Sequence, residues 1–541
     1  MSIPNQAASL LTAFVEQQMR AANTPGVCVA LTNRDQMLHL STHGFADLGA
    51  GTPVASDNLF EIGSITKSFT AIALLQLQER GLVDIHAPVT RYLPWFHVPS
   101  DYEPITLHHL LSHTAGIIMG TEFTTEARYE VWALRETQAS APPGTYFHYS
   151  NVGYKALGLI LEEVLGQSYS EIIQERILDP LGMDDSEPAI THQTRKRLAA
   201  GYAPYYDDRP SQPGHPLVPA TWLETGTADG SIAATAMDMA AYVRMLLNRG
   251  QGPRERILSE QSFQRMTQRL IAPPTEDEDF EGFYGYGLVI YVDEGHTIIG
   301  HDGGMVGYTA SILADLDDGL GAVVLTNGPS EPAEIAFFAL KLLRAATRDQ
   351  ALPPLPAAPE PRRVDNPSEF SGTYRMESGL LTIVMQNEGL ELVHNGEQVA
   401  LVGRGKDRFY VPHPDFSRFL LRLGREEGRV VEALHGPDCY VREGYPEPTS
   451  FRLPAEWTAY PGHYRSHNPW GTNFRVISRK GSLYLVEPEG DEEALVPLGD
   501  GLFRVGEDGH SPERLRFDTI LDGQALRANL SGCDYYRTFT P

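Results

Sequence analysis

The sequence predicts an α/β domain followed by two small antiparallel β-barrels. Three observations carry this reading: helical periodicity confined to about the first 350 residues with strand-like runs at both ends of that stretch, a run of prolines after it, and a tail of short strands that repeats itself.

Apolar residues at helical spacing mark Ala8 to Ala21, Lys67 to Arg80, Tyr154 to Leu165, Tyr169 to Ile177 and Met237 to Asn248 as helices. Gly26 to Leu31 and Met37 to Ser41 read as an opening hairpin, and Gly287 to Tyr291, Ala310 to Ala314 and Gly321 to Leu325 as later strands. One sheet built from both ends of the segment, with helices inserted between, is the expectation, and Glu334 to Ala346 closes it with a helix. Pro353, Pro354, Pro356, Pro359 and Pro361 then cannot continue a helix and favour an extended spacer. The expected organisation is a first domain over 1–350, a proline-rich linker over 351–365, and β-barrels over 366–452 and 453–541. The repeat supports the last two: Phe370-Ser-Gly-Thr-Tyr-Arg375 returns as Tyr460-Pro-Gly-His-Tyr-Arg465, Leu421 to Leu423 as Leu515 to Phe517, and Gly436 to Arg442 as Ser531 to Arg537, at nearly one offset.

With 541 residues and 42% hydrophobic content the chain can bury several cores. It has no run of eighteen apolar residues, and Met1 to Gln6 lacks the basic and apolar pattern of an export signal, so the expected location is the cytoplasm. Cys28, Cys439 and Cys533 are too scattered for a disulfide framework or a clustered zinc site, and all three are expected to be small buried residues. A formal net charge of −27 repels phosphate backbones and anionic lipid heads, which argues against nucleic acid and membrane as partners.

Three clusters carry chemistry. Ser64 and Lys67 stand at i and i+3 at the start of a helical pattern, so hydroxyl and amine can touch. A serine hydroxyl becomes a useful nucleophile when a neighbouring base takes its proton. In the second cluster, Pro143 to Tyr154, a turn-rich loop leads into a helix starting near Tyr154, and Tyr149 and Asn151 point the same way. A tyrosine beside cations can act as a general base, and an asparagine can hold both an amine and a substrate amide. The third, Gly300 to Tyr308, reads as a glycine-rich turn before a strand, with His301, Gly303 and Gly304. There the N–H of Gly304 could join that of Ser64 in a two-donor oxyanion pocket.

Taken together, Ser-x-x-Lys, Tyr-x-Asn and His-x-Gly in this order resemble the serine β-lactamase and penicillin-binding-protein superfamily. The class C-like branch, with family VIII esterases and D-aminopeptidases, is the most similar part of it. Leu110-Leu-Ser-His-Thr-Ala-Gly116 and Pro180-Leu-Gly-Met183 resemble further segments of that branch, as do Gly230-Ser231 with Thr235 to Met239, and Tyr284-Gly-Tyr-Gly287. The likeness covers residues 8 to 345. It implies a β-lactamase/transpeptidase-like α/β catalytic domain, a mainly antiparallel sheet plus a helical subdomain with the site between them.

The resemblance further implies Ser64 as the acylated nucleophile, Lys67 and Tyr149 as a coupled acid–base pair, Asn151 as the group orienting Lys67 and substrate, and His301 on the sheet-side wall. Ser64 and Gly304 would supply the oxyanion N–H groups, with Gly303 lining the substrate. β-Lactamases and D,D-carboxypeptidases usually carry lysine where His301 stands; a histidine gives up that cation and shifts the expectation toward esterases and aminopeptidases. His109 and His113 are four residues apart but lack the Glu of His-Glu-x-x-His, so no metal and no cofactor are expected.

The expected function is a serine hydrolase acting through an acyl-enzyme on a small peptide amide or ester, foremost an aminopeptidase or D-amino-acid-type peptidase. A family VIII-type carboxylesterase, acyl transfer to an acceptor other than water, and a catalytically idle ligand-binding or sensing protein remain as alternatives. The expected partner is a small molecule or short peptide. The resemblance also admits barrels that cap the groove or join copies into a homo-oligomer.

Overall fold

The computed structural model describes residues 3–120, 126–275, 281–377, 379–446 and 451–538. They form two compact units, Met1–Tyr205 with Pro216–Ala357, and Tyr206–His215 with Ala358–Pro541. The short arm Tyr206–His215 thus belongs with the C-terminal unit, which hydrophobic periodicity does not reveal.

The first unit is built on an eight-stranded antiparallel sheet: β1 (Gly26–Asn33), β2 (Met37–Asp47), β3 (Thr52–Pro53), β4 (Gly282–Tyr284), β5 (Val289–Asp293), β6 (His296–Met305), β7 (Tyr308–Asp315) and β8 (Leu320–Thr326). The order β3-β2-β1-β8-β7-β6-β5-β4 puts the opening hairpin beside the last strand. Strand alternation sorts side chains to two cores. Val27, Val29, Leu31, Ala322 and Val324 face one layer with α1 (Asn5–Ala22) and the closing helix Pro332–Thr347. Cys28, Ala30, Val323 and Leu325 face the other, with the remaining long helices.

On that second face lie α2 (Thr66–Glu79), α3 (Asn151–Leu165) and α4 (Ala236–Leu247). Every residue of α2 from Thr66 to Leu77 is buried, so it is a central helix rather than an amphipathic surface one. Phe69 stacks on Tyr242 of α4 with ring centroids 4.0 Å apart, and Ser68 Oγ lies 2.6 Å from the Tyr242 hydroxyl.

Two sequence readings are corrected. The glycines from Gly300 to Gly304 are not a turn but the second half of β6, paired with β7 from Ile298↔Asp315 to Met305↔Tyr308; the turn is confined to Val306 and Gly307. The helix expected near Tyr154 begins at Asn151, because Ser150 caps it by accepting from the Gly153 N–H.

In the second unit, nine strands between Gly372 and Arg442 form one antiparallel sheet whose edges, Glu397–Ala400 and Val402–Gly403, flank Leu401, so the sheet nearly closes. Eight strands between Gly462 and Thr538 close fully, Gly462–Arg465 pairing with both Asn473–Arg479 and Cys533–Thr538. The repeated segments do the same work in each. Tyr374 donates its hydroxyl to Phe370 O at 2.6 Å and Tyr464 to Tyr460 O at 2.7 Å, with Arg442 and Arg537 over the respective rings. Cys28 and Cys533 are buried, whereas Cys439 is only half-buried on its strand. No described helix is long and apolar enough to cross a membrane.

Candidate active site

Ser64 is the middle residue of a single 3-10 turn, Gly63–Ile65, that runs directly into α2. Gly63 sits at φ +52°, and a Cβ there would lie 2.5 Å from Gly304 O and 2.7 Å from Gly304 N. A Cβ on Gly303 would fall 1.9 Å from Ile62 O. Only hydrogen at both positions lets β6 press its backbone against the serine turn. Gly304 itself faces open space.

One helical turn after Ser64, the fully buried Lys67 donates from Nζ to Ser64 Oγ at 2.9 Å and to Asp229 O at 2.8 Å. The preceding carbonyl is also held: Thr70 Oγ1 donates to Ala228 O at 2.7 Å and meets the Tyr169 hydroxyl. Lys155 of α3 stands beside the Asp229 carboxylate at 3.9 Å and makes a buried ion pair with Glu130 at 2.7 Å. Lys67 Nζ also lies 4.9 Å from the centre of the Tyr149 ring and 5.7 Å from that of Tyr154, so both aromatic faces meet the amine.

Tyr149 is seated by His113, whose ring lies 4.2 Å away at 32°. His113 has φ +56°, uncommon for a residue with a Cβ, just beyond the short helix Leu107–Leu111. Its Nδ1 accepts the Ser150 N–H at 2.9 Å, so the ring proton sits on Nε2, 3.2 Å from the Tyr284 hydroxyl. Tyr284 in turn lies 3.0 Å from His301 Nε2, and His301 Nδ1 lies 2.5 Å from Asp302 O. Only one proton arrangement satisfies the chain: His113 donates to Tyr284, Tyr284 to His301, and His301 to Asp302 O. Both His301 nitrogens are therefore engaged within the protein. Burial pushes its pKa down to about 4, the Asp302 carbonyl opposes this, and nearby Lys67 lowers it further. His113 is held well below the usual imidazole range, first by burial and then by Lys67.

The fold thus brings Ser64, Lys67, Tyr149, His301, Gly303 and Gly304 into one neighbourhood, while Asn151 opens α3 half-buried, its N–H donating to Met119 O at 2.7 Å. Sequence reasoning gave no role to Gly63, Tyr284, Asp229 or Lys155. Tyr284 lies inside a quoted motif, but nothing in a string of letters shows that it bridges two histidines. Of the two histidines four residues apart, His109 Nδ1 accepts the Thr106 N–H in a capping box and His113 Nδ1 accepts that of Ser150. Among the described residues, the clusters with metal-ligand spacing are His394, His413, Asp415 and His296, Asp315, Asp317, none of which belongs to this site.

The model of the Beta-lactamase family matches residues 11–345. The chain belongs to the β-lactamase family. This family member is 30% identical over 383 residues to penicillin-binding protein 4 of Amycolatopsis lactamdurans, covering 66% of this chain and 94% of that protein. It is 31% identical over 224 residues to esterase EstB of Burkholderia gladioli, covering 38% and 56% of the two chains. Among solved structures it matches the octameric penicillin-binding protein homologue from Pyrococcus abyssi with a TM-score of 0.59 and 26% identity, over 80% of this chain and all of that one. With its Ser-x-x-Lys pair in contact, the chain is a serine hydrolase of the β-lactamase superfamily.

Proposed function

We propose that this β-lactamase-family enzyme works through an acyl-enzyme on a small peptide amide, as an aminopeptidase or D-amino-acid-type peptidase. The observation that carries the acyl-enzyme reading is the buried Lys67 amine 2.9 Å from Ser64 Oγ. Ser64 Oγ bonds to the carbonyl carbon as its proton passes to the Lys67 and Tyr149 pair. The pair returns a proton to the leaving nitrogen as the C–N bond breaks, then takes one from the attacking water and passes it to Ser64 Oγ as the acyl carbon–Oγ bond breaks. The N–H groups of Ser64 and Gly304 hold the oxyanion, and Asn151 orients Lys67 and the substrate amide.

His301 favours the substrate class. A ring with both nitrogens engaged and a pKa near 4 is uncharged at pH 7, so this wall offers a substrate carboxylate no cation. Two relatives carry penicillin binding in their names, which supports recognition of an amide, while EstB supports a carboxylesterase as the second reading. The octameric relative supports a homo-oligomer, which light scattering after size exclusion would measure.

The test uses p-nitrophenyl acetate, D-alanine and L-alanine p-nitroanilides and a chromogenic cephalosporin, with intact-mass detection of adducts. Expected are an acyl adduct lost in Ser64→Ala, anilide hydrolysis and an intact cephalosporin. Absence of any adduct or turnover removes the acyl-enzyme reading. Ester turnover without anilide turnover selects the carboxylesterase, and fast cephalosporin hydrolysis overturns the inference from His301.

A further inference from the structure

The C-terminal unit carries a cavity of about 550 Å³, within the range of small-molecule sites. Arg418, Arg475, Arg537 and His463 form its polar side, and Phe419 and Val476 belong to its apolar side. None of the described residues lining it is acidic.

Arg475 is the informative residue. Its side chain is 11% exposed, its Nη2 reaches Asp208 Oδ2 at 3.1 Å, and its Nε is buried with no acceptor among the described residues. A guanidinium stays charged in a protein, so an orphaned N–H here is an unmet demand for negative charge. Asp208 cannot meet it alone, because the same carboxylate holds Arg209 at 2.8 Å. Around Arg475, burial lowers the pKa, Asp208 opposes this, and Arg418, Arg209 and Arg465 lower it further. Arg465 is itself paired with Asp207, and Arg537 spends its donors on Ala525 O, Ala459 O and the Tyr464 hydroxyl. His463 donates from Nε2 to Asn473 Oδ1 at 2.9 Å, and burial keeps its pKa low. In a chain of net charge −27, a pocket with three arginines and no acid among its described lining residues is a local reversal of sign.

We propose that this cavity binds a small organic anion, a carboxylate carried on a short apolar body. The carboxylate would sit in the positive field of Arg475 and Arg418, which line the cavity, and the body would cover Phe419 and Val476. Guanidinium groups accept carboxylate and phosphate alike, so the apolar side of the cavity is what selects the organic anion over an inorganic one.

The test is calorimetric titration of the full chain at low ionic strength with hexanoate, acetate, inorganic phosphate and hexylammonium. Expected is 1:1 binding of hexanoate, weaker binding of acetate, none of hexylammonium, and at least a tenfold loss of hexanoate affinity in Arg475→Gln and in Arg418→Gln. Arg418 is exposed, so its variant keeps the fold even if loss of Arg475 does not. No hexanoate binding, or binding unchanged in the Arg418 variant, overturns the proposal. Phosphate binding as tightly as hexanoate overturns the organic-anion assignment.

Discussion

The imidazole of His113 lies against the ring of Tyr149 with centroids 4.2 Å apart and planes inclined by 32°. His113 cannot shift without loss, because its two nitrogens tie it to the Ser150 N–H and to the Tyr284 hydroxyl. The residue after Tyr149 is thus fixed by the same ring that supports Tyr149 from the side. Position along the chain and position in space are set by one buried side chain.

Replacing His113 by Ala strands the buried Ser150 N–H and removes the support of Tyr149. An unsatisfied buried donor costs about 1–3 kcal/mol, and a misplaced catalytic group costs on the order of 100-fold in rate. The expected outcome is a kcat loss of about that size with KM little changed, together with a lower Tm. Steady-state kinetics beside thermal melting separate the two; a lower Tm with full kcat would leave His113 a packing residue only.

His301 gives the fold a defined acid sensitivity. Its pKa is about 4 in the native state against an ordinary 6.5, so between these values the unfolded chain binds a proton that the native chain refuses. Stability therefore rises with pH across that window and is lost as pH falls from 6.5 toward 4, by about 3 kcal/mol at 1.36 kcal/mol per unit. Buried Glu61 acts oppositely: burial raises its pKa to about 8, so its contribution declines as pH rises from 4.5 to 8. The comparison of wild type with His301→Asn isolates the histidine. Denaturant unfolding at pH 7 and pH 4 is expected to show a smaller acid loss in the variant, and equal losses would remove His301 as the cause.

Much of this was legible in the sequence because it rests on local spacing. Ser64 and Lys67 meet because i and i+3 share a helix face, and the paired barrels show through Tyr374 and Tyr464 because one local motif recurs. As an isolated string the glycines of β6 look like a glycine-rich turn; the close approach of Gly303 to Ile62 O, which requires glycine there, is a tertiary fact. Tyr284 and Lys155 escaped for a similar reason. Tyr284 joins His113 to His301 across 171 and 17 residues, and Lys155 meets Glu130 across 25, separations that no local pattern encodes.

The Lys155 and Glu130 pair is buried on both sides, with side-chain exposures of 4% and 3%. Removing one partner of such a pair leaves an uncompensated charge, at a cost of about 3–5 kcal/mol. Lys155→Met is expected to destabilise by that amount, and Lys155→Met with Glu130→Gln to recover the share due to Glu130, the Asp229 carboxylate 3.9 Å from Lys155 keeping the rest. Denaturant melts of the two variants measure this. A double variant no more stable than the single would place the cost elsewhere than in the stranded Glu130.

Gly303 and Gly304 are neighbours on one strand with opposite requirements. A methyl on Gly303 would meet Ile62 O at 1.9 Å, a collision with backbone that only displacement of β6 or the serine turn relieves. A methyl on Gly304 meets nothing within 4 Å among the described residues, and its backbone lies outside the left-handed region, so the fold accepts it. If Gly304 N–H holds the oxyanion, that open space is where the acyl group must lie, and the methyl competes with substrate rather than with protein. Gly303→Ala is therefore expected to lower Tm strongly. Gly304→Ala is expected to leave Tm within about 1 °C, the scale of a few tenths of a kcal/mol, while kcat/KM falls by about tenfold or more. Melting curves and p-nitrophenyl acetate kinetics on the two variants decide it, and full activity in a normally folded Gly304→Ala would remove Gly304 from the oxyanion pocket.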